Sequence, residues 1–142
     1  MKTFITEITF IPKTYEIDYA GIVSNQVYIK WLEDLRFEMM RIHYGWERLM
    51  KEVVPVIVRT EINYKKSVIL LDKVIGKMWI SGIKGPKFYL TAEFYKNEGI
   101  LVADALQIGA FLNEKTGKPA KVPEKMRKLI EKWNEGKKQR TI

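Results

Sequence analysis

Asp18 is the carboxylate best placed for chemistry. It stands in a short polar passage with Gly21, six residues ahead of the point where a long helical pattern begins at Ser24. A helix N-terminus carries unpaired N–H groups and a partial positive charge. An aspartate folded back toward such an end can serve as a nucleophile or a general base. The same N–H groups can polarise a carbonyl oxygen. Gly21 lets the backbone approach closely. A plainer arrangement fits the same residues: Asp18 caps a turn and Gly21 supplies a positive φ. Residue chemistry leaves both open.

Other catalytic constellations are absent from the sequence. The one histidine, His43, falls in the last turn of the helical pattern, with no Ser or Asp at an obvious partnering position. It reads as a cation or donor near a helix C-terminus, and a Ser-His-Asp triad has little support. There is no cysteine, which excludes disulfides, thiolate metal sites and a Cys nucleophile, and agrees with a cytoplasmic protein. Zinc sites want several His and Cys. Neither G-x-x-x-x-G-K-[ST] nor G-x-G-x-x-G occurs. No metal or redox cofactor is expected.

Twenty-five Lys and Arg against seventeen Asp and Glu give a formal charge of +8. Such an excess favours anionic partners: phosphates, nucleic acid or an anionic membrane surface. Lysines beside aromatics, in Tyr64-Lys65-Lys66 and from Lys84 to Tyr89, suit single-stranded nucleic acid in principle. Strand aromatics at alternating positions read more simply as core, so nucleic acid is not the expected partner.

The helix that must position Asp18's partner groups is the strongest pattern in the chain. Val27, Tyr28, Trp31, Leu32, Leu35, Met39 and Ile42 recur at three-and-four spacing. Ser24 or Asn25 can cap its start and Gly45 its end, giving a helix roughly 30 Å long. Phe4 to Ile11 alternates as a first strand, with Phe4, Thr6, Ile8 and Phe10 on one face. Trp46 to Lys51 reads as a short helical turn. Four strands then follow: Val56–Lys65, Val68–Ile83, Lys87–Lys96 and Ile100–Asn113. Their connections carry turn residues and imply an antiparallel meander. Val122 to Asn134 closes with a helical pattern after Pro123.

With 142 residues, 46% of them apolar, the chain fits one domain with one core. The expected architecture is α+β: a five-stranded antiparallel sheet wrapped around a long central helix, with a C-terminal helix. Apolar residues expected on the other sheet face (Ile57, Tyr89, Tyr95) predict a homodimer or homotetramer. No apolar run approaches the roughly 20 residues that span a bilayer, and the N-terminus reads as a strand and not as a signal peptide.

Asp18-Tyr19-Ala20-Gly21-Ile22-Val23, followed by Tyr28 and the helix through Trp31, Leu32 and Glu33, resembles the signature of the hotdog-fold acyl-CoA thioesterases. It is most similar to the 4-hydroxybenzoyl-CoA thioesterase-like family. Glu61-Ile62-Asn63-Tyr64 with Asp72, and Asn113 to Pro119 with Val122-Pro123, extend the likeness along nearly the whole chain. The resemblance implies a sheet around a central helix in dimers or tetramers, and hydrolysis of an acyl thioester carried on CoA or on acyl carrier protein. It implies Asp18 as the catalytic carboxylate. Asn25 would offer its backbone N–H to the thioester oxygen. Gly21 would shape the turn and Tyr28 would line the acyl pocket. Lys65, Lys66, Lys84 and Lys87 would meet CoA phosphates, while Trp31 and Leu32 belong to the core. Relatives often carry His or Tyr at the position of Asn25, and a Tyr where this chain has Thr14. The backbone role survives these departures, because any non-proline residue has an N–H. A non-hydrolytic thioester-binding protein on the same fold is the alternative; the retained Asp18 argues against it.

Overall fold

The computed structural model describes the backbone of residues 1–140 and the side chains of residues 1–136. Five strands form one antiparallel sheet: β1 (Thr3–Phe10), β2 (Val54–Tyr64), β3 (Val74–Lys84), β4 (Lys87–Lys96) and β5 (Ile100–Leu112), in the order β1-β3-β4-β5-β2. Helix α1 (Asn25–His43) and the short α2 (Trp46–Glu52) lie between β1 and β2 in the chain, and α3 (Glu124–Arg140) follows β5. β3, β4 and β5 make the expected meander. β2 does not join it beside β3: residues 65–73 carry the chain across, and β2 pairs with β5 at the sheet edge.

Helix α1 forms where the three-and-four pattern predicts it. Ser24 is the N-cap, its Oγ accepting from the Gln26 N–H at 3.4 Å. Val27, Tyr28, Trp31, Leu32, Leu35 and Met39 are buried, and the helix packs on β1 and β3. Ring contacts knit this layer: Trp31 stacks on Phe10 at 4.9 Å and meets Phe94 at 6.0 Å. Gly76 allows the close approach, because a Cβ there would lie 2.8 Å from the Phe10 ring and 3.2 Å from Leu35.

The structure corrects four further expectations. Ile42 does not continue the apolar face and is 54% exposed. A straight helix drifts about 20° per heptad, and in the last turn His43 faces the sheet instead, stacked on Phe4 at 5.0 Å. β3 begins at Val74 and not Val68. Asp72 folds the preceding residues into a turn by accepting the Ile69 N–H at 2.9 Å and the Asn97 side-chain N–H at 2.8 Å. Ile57 is not on the outer sheet face. The register shifts between Ile57 and Arg59, so Val58 is an extra residue that exchanges the two faces. Ile57 therefore points inward upstream of this bulge, and Ile62 and Tyr64 do so downstream. Finally, the C-terminal helix runs past Asn134 to Arg140.

α3 closes the β1 side. Trp133 Nε1 donates to the Lys2 carbonyl at 2.8 Å, and Thr3 Oγ1 donates to Asn134 Oδ1 at 3.0 Å. β2 is the open edge, with Val54 and Val58 exposed.

Candidate active site

Between the 3-10 turn Thr14–Glu16 and α1, residues 17–23 form a tight loop. The Asp18 N–H donates to the Ile22 carbonyl at 2.9 Å, and the Gly21 N–H donates to the Asp18 carbonyl at 3.0 Å. Gly21 sits at φ 79, a left-handed conformation that costs glycine least. The loop is anchored to the helix start by the Ser24 N–H, which donates to the Glu16 carbonyl at 3.0 Å. The Val23 N–H fastens it to the next segment through the Val68 carbonyl at 2.8 Å.

Asp18 Oδ1 accepts the Ala20 N–H at 2.8 Å. Part of the turn-capping role is therefore real. The other carboxylate oxygen makes no hydrogen bond among the described residues. At the helix start, Ser24 Oγ takes the Gln26 N–H and the Ser24 carbonyl takes the Val27 N–H. The Asn25 N–H has no acceptor among the described residues. The loop and cap thus hold a carboxylate and an unpaired helical N–H on one short, hydrogen-bonded unit.

Asn25, Tyr28, Lys65 and Lys66 come together in one cleft of about 160 Å³. Ile22, Val23, Tyr64, Ser67 and Val68 complete its walls. Tyr64 donates its hydroxyl to the Asn25 carbonyl at 3.2 Å and meets Tyr28 edge-on at 5.4 Å. Tyr28 is 3% exposed. Burial, and secondarily Tyr64, push its hydroxyl up to about 12, so it stands as a neutral wall near neutral pH. Lys65 Nζ lies 3.7 Å from Asp104, and Lys66 is exposed.

Lys84 and Lys87 are not brought to this cleft. They pair with each other across the β3–β4 hairpin, at the sheet end opposite Val74, about 33 Å away along β3. Tyr64 is the member that sequence reasoning assigned no role here. Its alternation marked it as inward, but nothing local shows that it reaches Asn25, 39 residues earlier. Among the described residues no group of His, Cys, Asp or Glu is placed to hold a metal ion, and no helix is long and apolar enough to cross a membrane.

The sheet and the helices packed on it form a hotdog fold. The chain belongs to the thioesterase-like superfamily, whose model matches residues 12–130. Solved structures share the fold. The YbaW probable thioesterase of Escherichia coli matches with TM-score 0.81 and 22% identity over 90% of this chain and 98% of that one. The DHNA-CoA thioesterase of Staphylococcus aureus matches with TM-score 0.75 and 19% identity over 96% and 91%. A thioesterase of Thermus thermophilus, solved in complex with coenzyme A and Zn, matches with TM-score 0.78 and 22% identity over 90% and 93%. No curated protein sequence matches the chain.

Proposed function

We propose that the protein hydrolyses an acyl-CoA to a free carboxylic acid and CoA, using Asp18 and the N-terminus of α1. The observation that carries this reading is the fastening of the Asp18–Gly21 loop to the capped helix start, beside an unpaired Asn25 N–H. The thioester oxygen would accept that N–H, and the helix dipole would stabilise the negative charge that grows on it. Asp18 would either add to the carbonyl, expelling the CoA thiolate to leave an anhydride that water opens, or take a proton from water as that water adds. Both routes end in acid and thiol and need no redox cofactor. Lys65 and Lys66, which line the cleft, would meet the phosphates of CoA. An acyl carrier protein thioester would present its own anionic surface to the same lysines.

The proposed assembly is a homodimer or homotetramer. β2 is a long edge with exposed Val54 and Val58, and an open edge of this kind pairs readily with another strand. A second copy is the natural partner.

The test is thiol release from a panel of aromatic, short-chain and long-chain acyl-CoAs. A thiol-reactive dye serves as reporter, since this chain has no cysteine to contribute background. Hydrolysis of at least one panel member is expected. Inertness toward the whole panel and toward acyl carrier protein thioesters would overturn the reading.

A further inference from the structure

We infer that the turn Ile69-Leu70-Leu71, at the sheet end that carries the Asp18 loop, docks the protein on an anionic lipid bilayer. Ile69, Leu70 and Leu71 are 53%, 37% and 93% exposed. Three consecutive apolar side chains facing water are costly unless something covers them. The turn is held in this shape. Asp72, itself buried, accepts the Ile69 N–H at 2.9 Å and the Asn97 side-chain N–H at 2.8 Å. Lys96 Nζ donates to the Ser67 carbonyl at 2.7 Å and lies 3.8 Å from Asp72. Val68 is buried in the core immediately before the turn. A satisfied polar network thus props the tip outward instead of letting it fold onto the core.

Strand register gathers further apolar side chains at the same end. Phe10 pairs with Val74, Val74 with Lys96 and Lys96 with Ile100. Ile11, just beyond β1, and Ile100 are both exposed. Tyr19 stands fully in solvent on the Asp18 loop, which the Val23 N–H ties to the Val68 carbonyl. The opposite end turns through Lys84-Gly85-Pro86-Lys87 and through residues 113–118, without a large apolar side chain. Charge points to the occupant. Lys66 and Lys73 bracket the turn, are exposed, and make no ion pair among the described residues. Of the carboxylates at this end, Asp72 is taken by Lys96 and Asp104 by Lys65. Asp18 and Glu98 remain, on a chain that carries a net +8. A second copy would bring the same lysines face to face, whereas an anionic headgroup layer meets them with opposite charge. Leucine suits the acyl boundary below that layer, and a tyrosine ring with its hydroxyl suits the headgroup level.

Docking through this turn needs no turnover. Its consequence for substrate rests on the proposed hydrolysis: a docked chain holds the Asp18 loop and the cleft of Asn25 and Tyr28 against the bilayer, where acyl-CoAs with long apolar chains partition. The favoured substrate class is then long-chain acyl-CoA.

Co-sedimentation of the full-length protein with large unilamellar vesicles tests the docking directly. Vesicles of phosphatidylcholine and phosphatidylglycerol in equal parts should bind wild type and Asp18→Asn alike, and vesicles of phosphatidylcholine alone at least about tenfold more weakly. Leu71→Gln should weaken binding to the anionic vesicles at least about fivefold, the scale of one buried leucine. Lys66→Gln combined with Lys73→Gln should do the same, while Lys84→Gln combined with Lys87→Gln, an equal charge loss at the far end, should change it less than about twofold. Leu71→Cys supplies the only thiol in the chain. Labelled there with the environment-sensitive dye NBD, it should shift its emission to the blue on adding anionic vesicles, and Lys84→Cys labelled the same way should not. Wild-type binding in Leu71→Gln, equal losses in the two lysine pairs, an unshifted emission from labelled Leu71→Cys, or no binding to anionic vesicles would overturn the proposal. So would a lower solution mass for Leu71→Gln without lipid, which would assign the turn to a second copy. An acyl-CoA panel that stays unhydrolysed while anionic vesicles still bind would retire the thioesterase reading and leave the docking surface standing.

Discussion

Lys65 and Lys66 differ from the lysines at the other end of the sheet because they share a cleft with the helix start. Substituting both by Ala should raise KM for acyl-CoA several-fold and leave kcat little changed, since phosphate contacts far from the reacting carbonyl bind substrate and transition state equally. Steady-state kinetics at low salt checks this. The same double change at Lys84 and Lys87 should have a smaller effect, because those residues stand at the far end of β3. The motif that marks Asp18, Gly21 and Asn25 was legible because all three fall within eight consecutive residues. Tyr64 was not, because its partner Asn25 lies 39 residues earlier.

His43 shows how α1 is tied to its neighbours. Its ring stacks on Phe4 and meets Trp133 of α3 edge-on at 5.4 Å. Its Nε2 lies 3.2 Å from the Ile5 carbonyl, which requires the proton on that nitrogen. Burial lowers its pKa below the ordinary 6.5, and the Ile5 carbonyl counters this in part. The folded state therefore binds a proton less readily than the unfolded chain. The stability this group contributes is complete above about pH 6.5 and is lost as pH falls toward the folded pKa. Thermal melts should show Tm declining over that window, and His43→Phe, which keeps the stack and removes the titration, should flatten it. A decline of the same size in both proteins would assign the acid sensitivity elsewhere. Periodicity located every strand and α-helix, because one face of each is buried. It missed the β3 boundary because Val68 to Leu71 is apolar, and the turn there depends on Asn97 reaching Asp72. It misassigned Ile57 because the bulge inserts Val58 as an extra residue against β5, which swaps the faces and is set by pairing with a distant strand.

The molecule presents two unequal sheet edges. α3 covers β1 through Trp133 and Asn134, while β2 is open and carries exposed valines. Light scattering should give a mass of at least twice 16.7 kDa, and Val58→Lys, which puts a charge on the open edge, should lower it toward the monomer. A monomer in the wild type at micromolar concentration would contradict assembly through this edge. The inference of an oligomer drew on Ile57, Tyr89 and Tyr95 as outer-face residues, and Ile57 packs inward instead. β2 adds a route that alternation alone did not reveal, because strand order follows from pairing between distant segments.

The central claim is that Asp18 acts on the thioester. Its most direct test is the turnover of Asp18→Asn on the best acyl-CoA of the panel, with folding verified by circular dichroism. Asparagine can still accept the Ala20 N–H that Asp18 accepts now, so the turn should persist while the nucleophile or base is lost. The expected result is a fall in kcat of about a hundredfold or more, the scale of losing such a group. A kcat within a few-fold of wild type would contradict the account and return Asp18 to the capping of its turn.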